Sequence, residues 1–421
     1  MLIAPPCDAS CDKFASKPAV RCAYGDHVLY NSMVDAWSMR NWQPGEESGH
    51  DHFFTTFDKF SLATRNHTGE ALAEVAARAA EDRLQYVELM HTADVVQSGQ
   101  LGAKLGWDDD FGRMRDKLLT GGLKDITAAT SKTLDTDENK MRSLLKCGTP
   151  AAGAGCDVKI RYLYQVLRGL PREMVFAQIL LGFELTQSDP RFVGLNLVMP
   201  EDWYVPMHDF ELHMKMLDYL HGVYPKVHIS LHAGEIALGL VPPEGLRFHI
   251  RESVELGHAE RIGHGVDVMN EDHPLDLLRE MAERKVLVEI CLTSNDVILG
   301  VAGDYHPFPM YLRYGVPVAL ATDDEGVSRS DMTHEYLRAV ETYDFLSYED
   351  LKGMARMSLD HSFLAGSSLW ASKSHLVTAC ANDRGGAGKL SSACKSYLDA
   401  NERAHAQWSL EEEFAKFEKK F

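Results

Sequence analysis

Seven short aliphatic runs, most of them followed by a longer stretch of helical periodicity, constrain this chain more than any other feature. They are RLQYVELM (Arg83 to Met90), VKIRYLYQVLR (Val158 to Arg168), FVGLNLVMPED (Phe192 to Asp202), KVHISLHAGE (Lys226 to Glu235), RIGHGVD (Arg261 to Asp267), VLVEICLTSN (Val286 to Asn295) and VPVALATDD (Val316 to Asp324). Between them, DFELHMKMLDYLHG (Asp209 to Gly222) and HPLDLLREMAERK (His273 to Lys285) space their apolar residues as helices do. Strand, helix, strand repeated this often means parallel βα units, in either a barrel or an open doubly wound sheet. In five of the seven runs, acids, histidines or asparagine gather at the carboxyl end, the face from which barrel enzymes build their sites. No G-x-G-x-x-G or G-x-x-x-x-G-K-(S/T) follows any of them, so a nucleotide-binding open sheet lacks its signature. The expected fold is α/β, a (β/α)8 TIM-type barrel. Because seven strands are legible and closure needs eight, the first strand is expected to be missing, with the chain beginning after it.

Three segments are expected: residues 1–50 as a cysteine-containing N-terminal extension, 51–375 as the barrel, and 376–421 as a C-terminal loop and helix. HDHFFTTFDKF places Phe53, Phe54, Phe57 and Phe60 on one side of an amphipathic helix. At the other end, Cys380 and Cys394 enclose the glycine-rich DRGGAG, and WSLEEEFAKFEKKF reads as a helix opened by a Ser409/Glu412 capping box. Seven of the eight cysteines lie in apparent loops or extensions, several as close pairs. Disulfides in an oxidising compartment and free thiols are both consistent with that pattern. Cys7, Cys11, Cys22 and His27 fit no common zinc-finger spacing.

The net charge of -19 opposes binding to a nucleic acid, since a polyanion needs a Lys/Arg surface. No run approaches the roughly 20 apolar residues of a membrane helix. The start MLIAPP has neither a charged n-region nor a long apolar h-region, so a periplasmic or secreted location requires a signal upstream, and a cytoplasmic one is expected otherwise. A small neutral or cationic ligand suits the charge best.

Chemistry concentrates at three strand ends. In HAGE, His232 is a potential metal ligand, and Ala233-Gly234 lets the chain turn so that Glu235 approaches the same centre as a proton carrier. The alternative is a buried histidine beside a surface glutamate. Asp323 and Asp324 end an apolar strand, where adjacent side chains point opposite ways and can divide the work of cation binding and substrate orientation; a solvated acidic turn is the plainer reading. His264, between two glycines in RIGHG, could orient a reacting water or be a satisfied loop histidine. All three on one barrel face are harder to obtain by chance than any one.

HAGE, ERIGHG, EICLTSN (Glu289 to Asn295) and the Asp323-Asp324 pair, in that order, resemble the adenosine deaminase family of metal-dependent hydrolases. Through SMRNWQPGEESGHDHFFTTFDKF and FVGLNLVMPED the chain is most similar to the adenosine deaminase growth factor branch and its bacterial relatives. The resemblance spans roughly residues 30 to 375. It implies a (β/α)8 barrel, zinc as cofactor, and hydrolytic deamination of adenosine or 2'-deoxyadenosine to inosine and ammonia. By the same resemblance His232 and Asp323 would be zinc ligands, Asp324 and His264 would orient the attacking water, and Glu235 would protonate N1 of the purine.

Two departures accompany it. The family carries two further ligands in a Leu-His-x-His-Leu context at the end of the first strand, and this sequence has none. Its sole His-x-His, His50-Asp51-His52, is expected to start the Phe-rich helix rather than bind metal. Met199 stands where the growth factor branch has a glycine. A catalytically impaired nucleoside-binding or growth-factor-like homologue and an aminohydrolase of another amino-purine are therefore the alternatives, the acidic charge disfavouring phosphorylated substrates. The cytidine-type zinc deaminases are set aside: His258-Ala259-Glu260 matches their H-x-E, but no P-C-x-x-C follows.

Overall fold

The computed structural model describes residues 20–45, 47–372, 375–383 and 390–421. All seven aliphatic runs form strands: β1 Tyr86–His91, β2 Lys159–Leu167, β3 Phe192–Val198, β4 Ser230–Ala233, β5 Arg261–His264, β6 Leu287–Ile290 and β7 Val318–Leu320. They are parallel and lie in chain order, β1-β2-β3 and β4-β5-β6-β7, and the Leu195–Ile229 bridge joins the two groups. Neither β1 nor β7 pairs with a further strand on its outer edge among the described residues. The seven strands are those read from the sequence.

Contacts across the interior show that the sheet curls. Arg261 on β5 reaches Glu88 on β1 at 2.6 Å and Glu289 on neighbouring β6 at 2.8 Å. Laid flat, β1 and β5 would be about 19 Å apart at normal strand spacing. Only a barrel-like curl brings the two side chains together. Glu88 also accepts from the backbone N–H of Phe363, whose ring lies 4.0 Å from the Arg261 guanidinium. This buried charge is thus fully surrounded, as a charge away from water must be.

Helices fill the connections. The Arg172–Ser188 helix is buried at every position from Val175 to Phe183, because it is covered on both sides: by β2 and β3 within, and by the Gln97–Leu105 and Phe210–Val223 helices. At Gly102 a Cβ would lie 2.2 Å from the Glu173 carbonyl, so that crossing needs glycine. The expected Phe-rich helix forms at Gly49–Thr64, with Ser48 Oγ accepting from the Asp51 N–H. It lies against the Leu292–Leu299 helix so closely that a Cβ on Gly49 would meet the Val297 carbonyl at 1.7 Å.

Beyond the barrel, Leu369, Cys380, Cys394, Leu398, Ala404 and Trp408 form a small separate core. The expected capping box at Ser409 is not there. The last helix runs Glu402–Glu418 from Asn401, and Ser409 sits inside it, donating to the His405 carbonyl. The burial of Gln407 and Trp408 requires helix well before Ser409. Disulfides join Cys147 to Cys156 and Cys380 to Cys394, while Cys291 is a buried free thiol. Cys22 is disulfide-bonded, which removes it from any zinc site. Cys7 and Cys11, and most of DRGGAG, lie outside the described residues. No helix among the described residues is long and apolar enough to cross a membrane.

Candidate active site

His232, Glu235, His264, Asp323 and Asp324 sit at or just beyond the carboxyl ends of β4, β5 and β7. The sheet brings the expected residues together: His232, His264 and Asp323 each offer a ligand atom, and the three atoms lie within 4.8 Å of one another. The His232 and His264 rings are 5.0 Å apart, and Glu235 Oε1 is 3.4 Å from His264 Nδ1.

Two of these residues are held by their backbone in an unusual way. His264 and Asp323 have φ of +68° and +54°, and Met199 at the end of β3 has +87°. Non-glycine residues in this region carry strain that the surrounding fold must hold, and such strain clusters at functional sites. Gly234 (φ +76°) has no room for a side chain: a Cβ would lie 2.5 Å from Asp267 Oδ1. That explains the Ala-Gly between His232 and Glu235.

Supporting side chains aim the reactive ones. Asn196 Oδ1 on β3 accepts from both the backbone N–H and Nδ1 of His232, at 3.0 and 2.8 Å. Nε2 of His232 is then left with its lone pair. Burial drives the His232 pKa well below its ordinary value, with His264 and Arg168 adding to the effect, so the ring stays in its neutral, ligating form. Ser294 Oγ donates to Asp323 Oδ2 at 2.6 Å. Glu201 accepts from the successive amides of Gly234 and Glu235, at 3.0 and 2.8 Å, and from His249 Nδ1. Burial alone would raise Glu201, but His249 and Arg168 hold it at about 2. The buried Arg168 spends Nε and Nη1 on the carbonyls of Met199 and His232.

The acids near the centre behave differently. Burial, with Asp323 and Glu201 close by, pushes the Glu235 carboxyl well above its ordinary range, so it keeps its proton. Asp324 is raised likewise by burial and by Asp323. A buried carboxylic acid beside a neutral imidazole and the Ser294-bonded carboxyl of Asp323 can donate a proton, ligate a cation and orient water. The donor set suits zinc, which takes imidazole nitrogen and carboxylate oxygen.

His50 and His52 lie in the first turn of the Phe-rich helix, and their ring nitrogens are engaged elsewhere: His50 with Asp51 and Asp202, His52 with Glu47 and the Ser38 carbonyl. Neither joins the three-residue cluster. Asn196, Glu201, Arg168, Ser294 and His306 were not singled out from the sequence. Asn196 left a signal there as a lone amide inside the apolar FVGLNLV, and Glu201 and Ser294 lie at the polar ends of FVGLNLVMPED and EICLTSN.

A run of parallel βα units whose polar side chains gather at the strands' carboxyl ends places the chain in the TIM-type barrel class. Within that class the chain belongs to the adenosine deaminase family, whose model matches residues 38–370. Adenosine deaminase of Escherichia coli (strain SMS-3-5) is 40% identical over 139 residues, which is 33% of this chain and 38% of the relative. The match thus spans well under half of that curated relative's length. Among solved structures, Arabidopsis ADAL complexed with IMP superposes with a TM-score of 0.56 at 22% identity, covering 82% of this chain and 85% of that one. A zinc-bound cog1816 amidohydrolase from Burkholderia ambifaria gives 0.52 at 15% identity, covering 79% and 82%. At these identities the likeness is one of fold.

Proposed function

We propose that this protein is a zinc-dependent aminohydrolase that converts adenosine or 2'-deoxyadenosine to inosine and ammonia. The observation that carries the reading is the buried Glu235 carboxyl 3.4 Å from His264, beside the ligand atoms of His232 and Asp323. His232 Nε2 and a carboxylate oxygen of Asp323 would hold the zinc, whose Lewis acidity lowers the pKa of water to near neutrality.

Glu201 fixes the Gly234-Glu235 backbone and so aims the Glu235 carboxyl. Glu235 gives its proton to N1 of the purine, which makes C6 electrophilic. His264 and Asp324 orient the attacking water toward C6. As the water adds to C6, one of its protons passes to the amino group, the C6–N bond breaks and ammonia leaves, and the second proton returns to Glu235 as the C6 carbonyl forms. Family membership supports this scheme, and the Arabidopsis relative bound to IMP supports a purine ligand. The net charge of -19 favours a nucleoside over a nucleotide, since a phosphate needs basic partners. The disulfides Cys147–Cys156 and Cys380–Cys394 favour an oxidising compartment.

The test is adenosine turnover by the zinc-loaded protein, followed by ultraviolet absorbance, with Glu235→Ala as control. Turnover abolished in the variant supports the reading, and none in the wild type defeats it. A second reading, nucleoside binding without turnover, is favoured by one observation: only His232 and Asp323 combine with His264 in the cluster, without a His-x-His pair, among the described residues. Stoichiometric zinc by elemental analysis would count against it.

A further inference from the structure

Behind His264 runs a buried chain of hydrogen bonds with a fixed direction. The backbone N–H of Phe308 donates to His306 Nδ1 at 3.1 Å. A peptide N–H can only donate, so Nδ1 of His306 carries the lone pair and the proton of its neutral ring is on Nε2. That nitrogen lies 3.1 Å from Asn295 Oδ1. With its oxygen occupied, the Asn295 amide turns its NH₂ to His264 Nδ1, 3.0 Å away. His264 Nδ1 therefore accepts, and its neutral ring holds its proton on Nε2.

We propose that His306 and Asn295 are positioning residues that impose the Nε2–H tautomer on His264. The three side chains are 2%, 0% and 2% exposed in the order His306, Asn295, His264, so bulk water does not compete for these bonds. Burial, helped by the neighbouring His264 and Arg338, lowers His306 to about 4, which keeps its ring neutral and its Nδ1 able to accept at ordinary pH. His264 Nε2 makes no hydrogen bond among the described residues. Carrying a proton, it is a donor for an oxygen and not a lone pair for a cation, so His264 is not a third ligand beside His232 and Asp323. Glu235 Oε1, though 3.4 Å from His264 Nδ1, makes no hydrogen bond to it.

The mechanistic consequence rests on the deaminase reading, but the tautomer is a property of the chain alone. It is read by two-bond proton–nitrogen correlation spectra of the full chain labelled with nitrogen-15 histidine, with His264 assigned by the loss of its signals in His264→Gln. The expected wild-type pattern has Nε2 in the protonated range and Nδ1 in the unprotonated range. Asn295→Asp replaces the amide with an acceptor for both rings, and the His264 pattern should invert. His306→Gln keeps a donor to Asn295 and should retain the wild-type pattern, whereas His306→Phe should show both tautomers. In the active enzyme, kcat of Asn295→Asp should fall about 10²-fold or more with little change in KM. A wild-type ring protonated on Nδ1, or an Asn295→Asp spectrum identical to wild type, overturns the proposal. A chain with the Nε2–H pattern that turns over no purine supports the tautomer and defeats the deaminase reading.

Discussion

Asn196 Oδ1 lies 2.8 Å from His232 Nδ1 and 3.0 Å from the His232 backbone nitrogen, so one amide on β3 grips both the ring and the backbone of the proposed ligand on β4. Such partners fix a ligating ring's tautomer and orientation, and losing them typically costs about 10- to 100-fold in metal affinity. Asn196→Leu is therefore expected to weaken zinc binding by that factor in a chelator competition. An unchanged affinity would remove Asn196 from the site.

Glu235→Gln preserves the shape of the side chain and removes its transferable proton. A loss of kcat on the order of 10²- to 10⁴-fold is expected, with the circular dichroism spectrum unchanged. Because the folded protein raises this carboxyl's pKa, its acid form persists above the ordinary glutamate range and is lost only as pH rises through the raised value. Wild-type kcat should therefore decline on the alkaline side. A rate that instead climbs steadily with pH would mean Glu235 works as a base.

Glu271 supplies a stability test away from the reaction. Burial raises its pKa from 4.5 to about 7, against the opposing bonds from the Ile250 and Arg251 amides. The folded protein thus keeps a proton that the unfolded chain releases above pH 4.5. The stability linked to this group is complete below 4.5 and falls as pH rises through 7, by about 3 kcal/mol in all. Denaturant unfolding at pH 5 and pH 8 should show the gap between the two shrinking in Glu271→Gln. An equal gap in both proteins would mean that the carboxyl ionises normally.

The Cys380–Cys394 bridge closes a loop of 14 residues, and both sulfurs belong to the small C-terminal core. Cross-linking a loop of that length stabilises by about 3 kcal/mol in the chain-entropy account. Replacing both cysteines by alanine should lower the unfolding free energy by that order and leave kcat unchanged, since the bridge touches none of the site residues. A matching loss of kcat would show that the C-terminal core supports the site.

How much of this was legible beforehand follows from distance along the chain. The strands could be read because alternation and aliphatic runs are local, and the reactive residues because they interrupt those runs at strand ends. The ion cluster of Arg261, Glu88 and Glu289 could not be, since its members belong to three strands and meet only once the sheet curls. Asn295 lay inside a quoted motif but had no role until His306 appeared 3.1 Å away. Positive φ at His264 and Asp323 leaves no trace in residue type, because neither is glycine. The Ser409 capping signal was outweighed by packing, with Gln407 and Trp408 buried on the preceding turn.

The reactive centre draws on separate peptide segments, from Asn196 on β3 to Asp324 beyond β7, and no two neighbouring strands contain enough of it to hold a cation. Detachment of any one of those strands would dismantle the whole centre. Retention of bound metal thus becomes a gauge of native assembly: as denaturant rises, ion release should coincide with the global transition, and a tightly loaded fragment has no place on the unfolding path.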